Sequence, residues 1–340
     1  MNKQAVQTRR VRNYDVKVGV GMREGTVFYR MIIPRYKINP GLILFFSIFP
    51  LFLLFPSLVH ARVYIDEIGR KVNMIPYPKR IVSLAPSITE TLFALGLDKE
   101  IVGVTTFCNY PEAVRSKPKV GGFINISLER VVSLSPDLII GTADGNRRET
   151  VEQFERIGLP VYIVNPVSLE DILKMVLNIG RITGKEDLAK KLIFNLRRRV
   201  KSVVLKTRQI KKPRVFLLLS TDPMVTVGRN TLHDKLITLA GGLNVAGGDR
   251  INYPRYSIEE VMVKQPEVIV ITSMKRGENS ARFRNEWKKW KNVPAVRDDR
   301  IYTIDTDLIT RSSPRIVDGL EELARMIHPE LFIGHQFKGF

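Results

Sequence analysis

The feature that most constrains this fold is a long basic amphipathic run at residues 186–212. Its apolar residues recur every three or four positions from Leu188 to Val204, which predicts one helix with a single apolar stripe. Acidic residues in the first turn and basic residues towards the end complement the helix dipole, and Pro213 ends the helix. At ~1.5 Å per residue, about 23 residues extend roughly 35 Å. A helix of that length must run along one body or bridge two.

A gapless internal repeat on either side of the run favours a bridge. Residues 127–142 and 257–272 share one pattern: a serine, an acidic first turn, a short helix, a proline followed by an acid, and an apolar strand. Ser127 and Ser257 are therefore predicted to be helix N-caps. Such a repeat predicts two related lobes with the long helix between them. The alternative is two unrelated copies of a common helix–proline–strand unit.

Short apolar strand patterns alternate with helical patterns through the rest of the chain. This alternation predicts an α/β fold of two lobes, with mostly parallel sheets flanked by helices and joined by one long rigid α-helix. A single connecting helix also predicts that the lobes move by only a few degrees when a ligand binds. The expected organisation is an N-terminal extension and signal peptide (1–61), an N-terminal α/β lobe (62–184), a backbone helix (185–212), a C-terminal α/β lobe (213–333) and a tail (334–340).

The N-terminal part of the chain carries a targeting pattern. Residues 41–59 are apolar and uncharged, and the small residue Ala61 follows shortly after, which predicts a secretory signal cleaved after Ala61 and a periplasmic location. A retained N-terminal membrane anchor is the alternative, because the run is near the lower length limit for crossing a bilayer. Residues 1–30 are long and polar for a signal, so translation is expected to begin at Met31 or at Met22.

Charge and cysteine content narrow the classes of function. The net charge of +20 falls to +13 without the first 61 residues, which hold nine basic and two acidic side chains. A basic chain favours nucleic acid or anionic membrane partners, but the sequence has no zinc-finger spacing, RNA-binding signature or basic-aromatic stripe. We therefore expect solvated helix faces and no nucleic-acid partner. Cys108 is the only cysteine, which excludes an intrachain disulfide and is expected to serve as core packing.

Enzyme signatures are missing from the sequence. It has no dinucleotide-binding glycine fingerprint, phosphate-binding loop or Gly-x-Ser-x-Gly elbow. His233, His328 and His335 are dispersed and predict no metal cluster, and His233 is expected at the surface or in a helix cap. We expect no catalytic residue, metal or cofactor. The alternative is an enzyme on a two-lobed α/β scaffold, acting on a metal chelate or a nucleotide.

Two further predictions concern local structure near the strand ends. Ser87 is predicted to cap a helix, with Glu90 as its capping-box partner. Ligands of open α/β sheets bind beyond the carboxyl ends of the strands. Aromatic and charged side chains in such loops suit a large, flat, amide-bearing ligand. The candidate ligand-binding residues are Phe107, Tyr110, Phe123, Tyr253, Asp307 and Arg311.

Several motifs together resemble a known family. They lie at residues 80–90, 106–111, 121–130 and 135–140, and the match continues through residues 240–244, 257–272 and 311–315. These stretches resemble the cobalamin-binding proteins of ABC importers. Those proteins belong to a helical-backbone class of periplasmic binding proteins that also serves siderophores and haem. The resemblance covers residues 79–327 and is more specific for the class than for the ligand.

The resemblance implies a function and a set of contacts. In that family a corrinoid lies between the lobes and is delivered to an ABC permease in the inner membrane. Phe107, Phe123 and Tyr253 match aromatic contacts, and Asp307 and Arg311 match a polar pair that contacts corrin amides. The alternative from the residues alone is a local ion pair between Asp307 and Arg311. The protein is expected to be a monomer with a small-molecule ligand.

The sequence differs from the family pattern at two positions and carries one pair of equivalent acidic residues. Thr142 and Val225 stand where the family has aromatic residues, which keeps a related corrinoid, haem or a ferric siderophore open as the ligand. Glu129 and Glu259 occupy equivalent positions in the two repeat units. An acid in a first helical turn is favourable in any helix, but the resemblance implies that these two carboxylates dock onto basic residues of the permease.

Overall fold

A computed structural model describes residues 6–11, 14–23, 26–31, 61–273 and 281–332. The chain divides into two compact units, Met1–Val59 and His60–Phe340. The apolar run at 41–59 and the tail at 334–340 lie outside the described residues. So does most of the predicted signal, so the structure leaves its cleavage as a prediction.

The first unit contains a three-stranded antiparallel sheet in the order β1-β2-β3. The polar composition of this stretch predicts only an extension, so these strands are an addition to the sequence-based picture. The strands are β1 (Val6–Val11), β2 (Tyr14–Arg23) and β3 (Thr26–Met31).

The second unit alternates strands and helices as the sequence predicts. Its strands are β4 (Arg62–Ile65), β5 (Lys71–Met74), β6 (Ile81–Ser83), β7 (Ile101–Val104), β8 (Leu138–Thr142), β9 (Val161–Val164), β10 (Arg214–Thr221), β11 (Met224–Thr226), β12 (Leu243–Asn244), β13 (Val268–Ser273) and β14 (Ile301–Asp305). Its α-helices are α1 (Pro86–Ala94), α2 (Leu128–Ser133), α3 (Arg148–Arg156), α4 (Leu169–Ile182), α5 (Glu186–Thr207), α6 (Leu232–Leu239), α7 (Ile258–Lys264), α8 (Ala281–Trp287), α9 (Pro294–Arg297), α10 (Thr306–Thr310) and α11 (Ile316–Ile327). Short 3-10 helices lie at Glu112–Ser116 and Pro329–Leu331.

Two sheets define two lobes. The N-terminal lobe is built on a parallel sheet in the order β7-β6-β8-β9, with the antiparallel hairpin β4-β5 as a separate two-stranded sheet. The C-terminal lobe is built on a five-stranded sheet in the order β11-β10-β13-β14, with β12 paired to β10. In this second sheet β10 pairs antiparallel with β11, and the other pairings are parallel. The predicted α/β fold with mostly parallel sheets is confirmed.

Helix α5 lies between the two sheets in sequence and packs against both lobes. Its buried residues Ala189, Leu192, Leu196 and Val203 belong to one hydrophobic cluster that contains side chains from both sheets. The helix ends at Thr207, five residues before the predicted end at Lys212. The prediction of the end was therefore wrong. Pro213 keeps its predecessor out of the helical region, and the chain must turn before it enters β10.

An ion cluster of Arg199, Asp318 and Glu321 connects α5 to α11. The guanidinium of Arg199 lies 2.6 Å from carboxylate oxygens of both Asp318 and Glu321. Burial opposes its charge, but hydrogen bonds to Glu321 and then Asp318 outweigh this and raise the pKa of Arg199. These contacts fix the orientation of α5 against the C-terminal lobe.

The repeat units fold alike at their starts. Ser127 accepts a hydrogen bond from the Arg130 backbone N–H, and Ser257 accepts one from the Glu260 backbone N–H. Both predicted serine N-caps are confirmed. The second repeat, at residues 257–272, also forms a full capping box, because the Glu260 side chain accepts a hydrogen bond from the Ser257 N–H.

Three local predictions were wrong. Helix α1 begins at Pro86, two residues earlier than a Ser87 cap requires, and its N-cap residue Ala85 makes no side-chain hydrogen bond. The sequence pattern predicts a loop at residues 305–314, but this stretch contains α10, in which the Asp307 backbone N–H donates a hydrogen bond to the side chain of the N-cap residue Asp305. His233, expected at the surface or in a cap, is buried on α6. Within the described residues, no helix combines the length and apolar character needed to cross a membrane.

Candidate functional site

A cavity of about 460 Å³ lies where the strands of the N-terminal sheet end and the chain after β14 approaches them. Parallel strands bring their following loops to one edge of a sheet, which is the usual ligand position in open α/β folds. Both lobes contribute to its walls. The lining residues are Ala85, Pro86, Ser87, Phe107, Phe123, Thr142, Asp144, Pro166, Thr310, Arg311 and Ser312.

Two of the predicted aromatic residues line this cavity. Phe107 follows β7 and is 59% exposed, so its ring face is available to a ligand. Phe123 is partly buried and packs against the core. Its ring lies directly on Gly145, where an added Cβ would lie 1.8 Å from the Phe123 Cζ atom. A glycine is therefore required beneath the Phe123 ring.

Asn146 holds the loop that carries Gly145. Its side-chain oxygen accepts a hydrogen bond from the Thr142 backbone N–H at 2.8 Å. Its side-chain nitrogen donates to the carbonyl oxygens of Leu84 and Phe123, each at 3.3 Å. One amide thus connects the ends of β6 and β8 with the backbone of Phe123, and this fixes one wall of the cavity.

Glu90 joins the two lobes next to the cavity, through hydrogen bonds with residues around Arg311. Its side chain is 1% exposed and lies on α1. One of its oxygens accepts hydrogen bonds from Arg311 at 2.8 Å and from Arg315 at 3.1 Å, and the other accepts one from Ser313 at 2.5 Å. A buried carboxylate needs such partners because burying an unpaired charge is costly. Sequence reasoning missed this role because it assigned Glu90 to the cap of α1.

Asp307 and Arg311 form the ion pair that their spacing allows, at 2.9 Å. They also reach across to the N-terminal lobe. The Asn109 side-chain nitrogen donates to Asp307 Oδ2 at 2.9 Å, and Arg311 Nη1 donates to Asn109 Oδ1 at 2.8 Å. Arg311 Nη2 donates to the Phe107 carbonyl oxygen at 3.2 Å. The local ion pair is therefore part of a larger contact between the lobes.

The other two predicted aromatic residues lie elsewhere. Tyr110 is covered by Arg315, whose guanidinium carbon is 3.8 Å from the centre of the tyrosine ring. This cation–π contact supports the Glu90 cluster, and Tyr110 is not among the residues that line the cavity. Tyr253 is half-exposed on the C-terminal lobe, with its ring edge-on to His233 at 6.3 Å between centroids. It does not line this cavity either.

Thr142 and Val225 occupy the positions where the resemblance leads us to expect aromatic residues. Thr142 lines the cavity and is 4% exposed, and its hydroxyl has no hydrogen-bond partner among the described residues. Val225 forms an isolated bridge with Arg255. A small polar side chain at residue 142 leaves Phe123 as the larger aromatic surface on that side of the cavity.

Glu129 and Glu259 are both exposed and lie at the second position of α2 and α7. Hydrogen bonds from the backbone N–H of Glu259 and from the Ser257 hydroxyl lower the pKa of Glu259. The structure thus shows two solvent-facing carboxylates at equivalent positions, one in each lobe.

Asp144 is the other titratable residue among those that line the cavity. In the parts of the chain that the structure describes, no three His, Cys, Asp or Glu side chains gather as for a metal ion. Cys108 is free and buried, with its sulfur 3.2 Å from the hydroxyls of Thr89 and Thr105, in keeping with the predicted packing role. The site is therefore suited to binding through aromatic faces and hydrogen bonds.

Known proteins resemble this chain in sequence and in fold. A family model described as periplasmic binding protein matches residues 81–308. An ABC transporter substrate-binding lipoprotein of Bacillus subtilis, YvrC, is 33% identical over 274 residues, which are 78% of this chain and 85% of that protein. Both matches agree with the resemblance inferred from the motifs.

Two solved structures share the fold. The periplasmic vitamin B12 binding protein BtuF of Vibrio cholerae is 27% identical with a TM-score of 0.64, over 74% of this chain and 98% of that one. The periplasmic haem-binding protein RhuT of Roseiflexus sp. RS-1 is 28% identical with a TM-score of 0.66, over 74% and 99%. The chain is thus similar to binding proteins for two different tetrapyrrole-type ligands.

Proposed function

Because the chain belongs to the periplasmic binding protein family, we propose that it captures a corrinoid between its two lobes and delivers it to an ABC transporter permease. The family consists of substrate-binding transport proteins, so the chain is a carrier and not an enzyme. Its site performs recognition and release. The observation that carries the corrinoid assignment is the position of Phe107, Phe123 and Arg311 at one cavity, with Asp307 paired to Arg311 beside it.

The aromatic wall supports a flat ligand. Phe107 and Phe123 both line the cavity, and Gly145 with Asn146 holds the Phe123 ring in place. Rigid aromatic faces bury a large apolar area at little cost in conformational entropy. A corrin ring presents an extended flat surface that such side chains can contact. Tyr253 adds a half-exposed ring on the C-terminal lobe, and we assign it to the far side of a ligand that extends beyond the cavity.

The polar pair supports a ligand with amide groups. Asp307 offers an acceptor and Arg311 offers donors within 2.9 Å of each other. A primary carboxamide carries both an N–H donor and a carbonyl acceptor, and it satisfies both partners at once. A carboxylate ligand would be attracted by Arg311 but repelled by Asp307. Corrinoids carry peripheral carboxamides, whereas the acidic side chains of haem are carboxylates.

We propose the domain limits given by the sequence pattern. The N-terminal lobe comprises residues 62–184, the backbone helix residues 185–212 and the C-terminal lobe residues 213–333. The helical part of the backbone segment is Glu186–Thr207. Arg199 anchors this helix to the C-terminal lobe, which supports the proposal that the lobes move little with respect to each other.

Docking to the permease is assigned to Glu129 and Glu259. Their equivalent positions in two repeat units and their exposure support a two-point contact with basic residues of an inner-membrane permease. We further propose that the protein is exported, with signal cleavage after Ala61, and that it acts outside the cytoplasmic membrane as a monomer. The lipoprotein relative of Bacillus subtilis is consistent with action at that side of the membrane.

Haem is the second candidate ligand. Thr142 replaces an aromatic residue expected in the corrinoid-binding relatives, and the haem-binding protein RhuT matches this chain as well as BtuF does. The presence of Asp307 beside Arg311 favours the corrinoid. The two candidates are separated by the same experiment.

The direct test is titration calorimetry of the purified protein with cyanocobalamin, cobinamide and hemin. We expect a one-to-one complex with a corrinoid, and a weaker complex after Asp307→Ala or Phe123→Ala. The exposed substitution Asn195→Ala on α5 serves as a control. Failure of both corrinoids to bind at about 100 μM, a level that detects weak complexes, would refute the assignment. Binding of hemin alone would move the assignment to haem. A visible absorption spectrum of protein purified from its native host provides an independent check.

A further inference from the structure

Asn109 forms hydrogen bonds with Asp307 and Arg311, the two side chains that the proposed function assigns to ligand amides. Its carboxamide donates to Asp307 Oδ2 at 2.9 Å and accepts from Arg311 Nη1 at 2.8 Å. Asp307 and Arg311 are bonded to each other at 2.9 Å, so the three groups close a ring of hydrogen bonds. The orientation of the amide is fixed by chemistry, because the reversed amide would place two acceptors against each other and two donors against each other.

We propose that Asn109 is an internal stand-in for a ligand carboxamide, which competes with the ligand for Asp307 and Arg311 and so sets affinity and selectivity. The proposal rests on the proposed function, and it adds a residue that is not among the predicted contacts. A ligand carboxamide can take over both hydrogen bonds when the Asn109 side chain turns away. A group without both a donor and an acceptor can replace only one of them.

The hydrogen bonds of Arg311 show why displacement is needed. A guanidinium has four terminal N–H groups. On Nη1 they point to Glu90 and Asn109, and on Nη2 to Asp307 and the Phe107 carbonyl oxygen. All four are taken by the protein itself. A ligand that uses a terminal N–H of Arg311 must therefore release one of these partners.

Asn109 is the partner that can be released at least cost. The Glu90 carboxylate is buried and also holds Arg315 and Ser313, so its loss would leave several charged groups unpaired. The Phe107 carbonyl belongs to the backbone. Asn109, in contrast, is uncharged and exposed, and water can satisfy its amide once it turns away. Glu90 meanwhile keeps Arg311 in position for the incoming group.

The contact also connects the lobes. Asn109 follows β7 in the N-terminal lobe, whereas Asp307 and Arg311 lie on and beside α10 in the C-terminal lobe. Exchange of Asn109 for a ligand carboxamide therefore replaces a direct bond between the lobes by a bond to the ligand. The number of hydrogen bonds is conserved, so the lobes need not move far. Ligand exchange and small lobe motion are compatible in this arrangement.

The first experiment tests the contact without added ligand. Asn109→Ala, Asp307→Ala and the double variant are compared by urea unfolding in a double-mutant cycle, which measures the coupling between two positions. We expect the effect of the double variant on the unfolding midpoint to be smaller than the sum of the single effects. Strict additivity would overturn the proposal, because it would show that Asn109 and Asp307 do not interact in solution.

The second experiment tests competition. Calorimetry compares the wild type, Asn109→Ala and the control Asn195→Ala with two probes, cyanocobalamin and a cobyrinate heptamethyl ester that lacks carboxamide N–H groups. Loss of two competing hydrogen bonds should tighten cyanocobalamin binding by about tenfold in Asn109→Ala and leave the ester within about twofold. Unchanged or weaker cyanocobalamin binding, or an equal gain for the ester, would overturn the proposal. Absence of corrinoid binding in the wild type would instead refute the proposed function, and the unfolding cycle would still decide whether the Asn109 contact exists.

Discussion

The carboxylate of Glu90 lies 2.8 Å from the guanidinium of Arg311, although 221 residues separate them along the chain. Glu90 belongs to the N-terminal lobe and Arg311 to the C-terminal lobe, so this bond connects the two lobes at a residue that lines the cavity. Arg315 and Ser313 bind the same carboxylate. The cluster therefore couples the stability of the chain to the geometry of its ligand-binding arginine.

Replacement of Glu90 by Gln is expected to lower the free energy of unfolding by about 3 kcal/mol. The substitution keeps the shape of the side chain but leaves Arg311 and Arg315 without their buried counter-charge, and breaking such a pair typically costs about 3–5 kcal/mol. Urea unfolding followed by circular dichroism measures the effect. Glu129→Gln, at an exposed carboxylate, is the matched control and should change the stability by less than about 0.5 kcal/mol. Equal stabilities of the two variants would show that the cluster contributes no net stabilisation.

Replacement of Gly145 by Ala should move the Phe123 ring. An alanine Cβ would lie 1.8 Å from Phe123 Cζ, far inside van der Waals contact, so either the ring or the loop must shift. Overpacking of this kind costs about 1–3 kcal/mol, and loss of an aromatic contact should weaken corrinoid binding about 3- to 10-fold. Calorimetry and thermal unfolding measure both effects. Gly248→Ala, where no atom lies within 4 Å of the added Cβ, is the control. An affinity equal to that of this control would argue against Phe123 as a ligand contact.

The ion cluster on α5 gives a third prediction. Arg199→Met should lower the free energy of unfolding by about 3–5 kcal/mol, because it leaves the carboxylates of Asp318 and Glu321 facing each other without a counter-charge. Arg198→Met on the same helix is the control. Arg198 is exposed, and within the described residues it has no ion-pair partner. A similar small loss for both variants would mean that Arg199 acts only as one more solvated charge.

Regular structure could be predicted from the sequence wherever a short-range pattern determines it. The apolar pattern of the sequence predicts a strand at residues 161–164 and a helix at residues 316–327. Strand β9 (Val161–Val164) and helix α11 (Ile316–Ile327) have these same bounds. The serine caps of both repeat units follow from local hydrogen bonding. Helix α10 escaped prediction because its five residues are too few to show helical periodicity.

The centre of the site could not be predicted in the same way. Glu90, Asn109 and Arg315 meet only when the lobes come together, and nothing within a few residues of each indicates its partner. Glu90 lies three residues after Ser87, which is the spacing of a capping box, and this common local pattern led to the wrong prediction for Glu90. Tyr110 is a related case: a tyrosine in a cleft loop predicts a ligand contact, but the ring is covered by Arg315. Family resemblance located the loops, and only the fold shows which side chains pair.

Docking through Glu129 and Glu259 predicts a separation of transport from binding. Reversal of both charges, Glu129→Arg with Glu259→Arg, should abolish corrinoid uptake and leave the affinity for cyanocobalamin within about twofold, because both residues are exposed and lie on helices outside the cavity lining. Uptake in cells and calorimetry on the purified variant measure the two quantities. Reversal of Glu152 and Glu149 on α3 is a control of equal charge. If uptake survives the first double reversal, the two carboxylates act only as residues that favour helix starts.

His233 gives a prediction about pH. It is 7% exposed, neither ring nitrogen has a hydrogen-bond partner among the described residues, and burial lowers its pKa to about 4 from 6.5. In the unfolded chain His233 therefore takes up a proton near pH 6.5, whereas in the folded chain it takes up a proton only near pH 4. Stability due to this difference is fully present above pH 6.5, falls as the pH drops through that value, and reaches its full loss of about 3 kcal/mol near pH 4.

The measurement is urea unfolding of the wild type and of His233→Leu across this pH range. Other titrating groups are common to both proteins and cancel in the difference between their free energies of unfolding. We expect that difference to shift in favour of the variant by about 2–3 kcal/mol between neutral pH and pH 4.5. A constant difference would mean that His233 accepts a proton in the folded chain without penalty. That result would require the loop that carries Tyr253 to open and admit water to the imidazole.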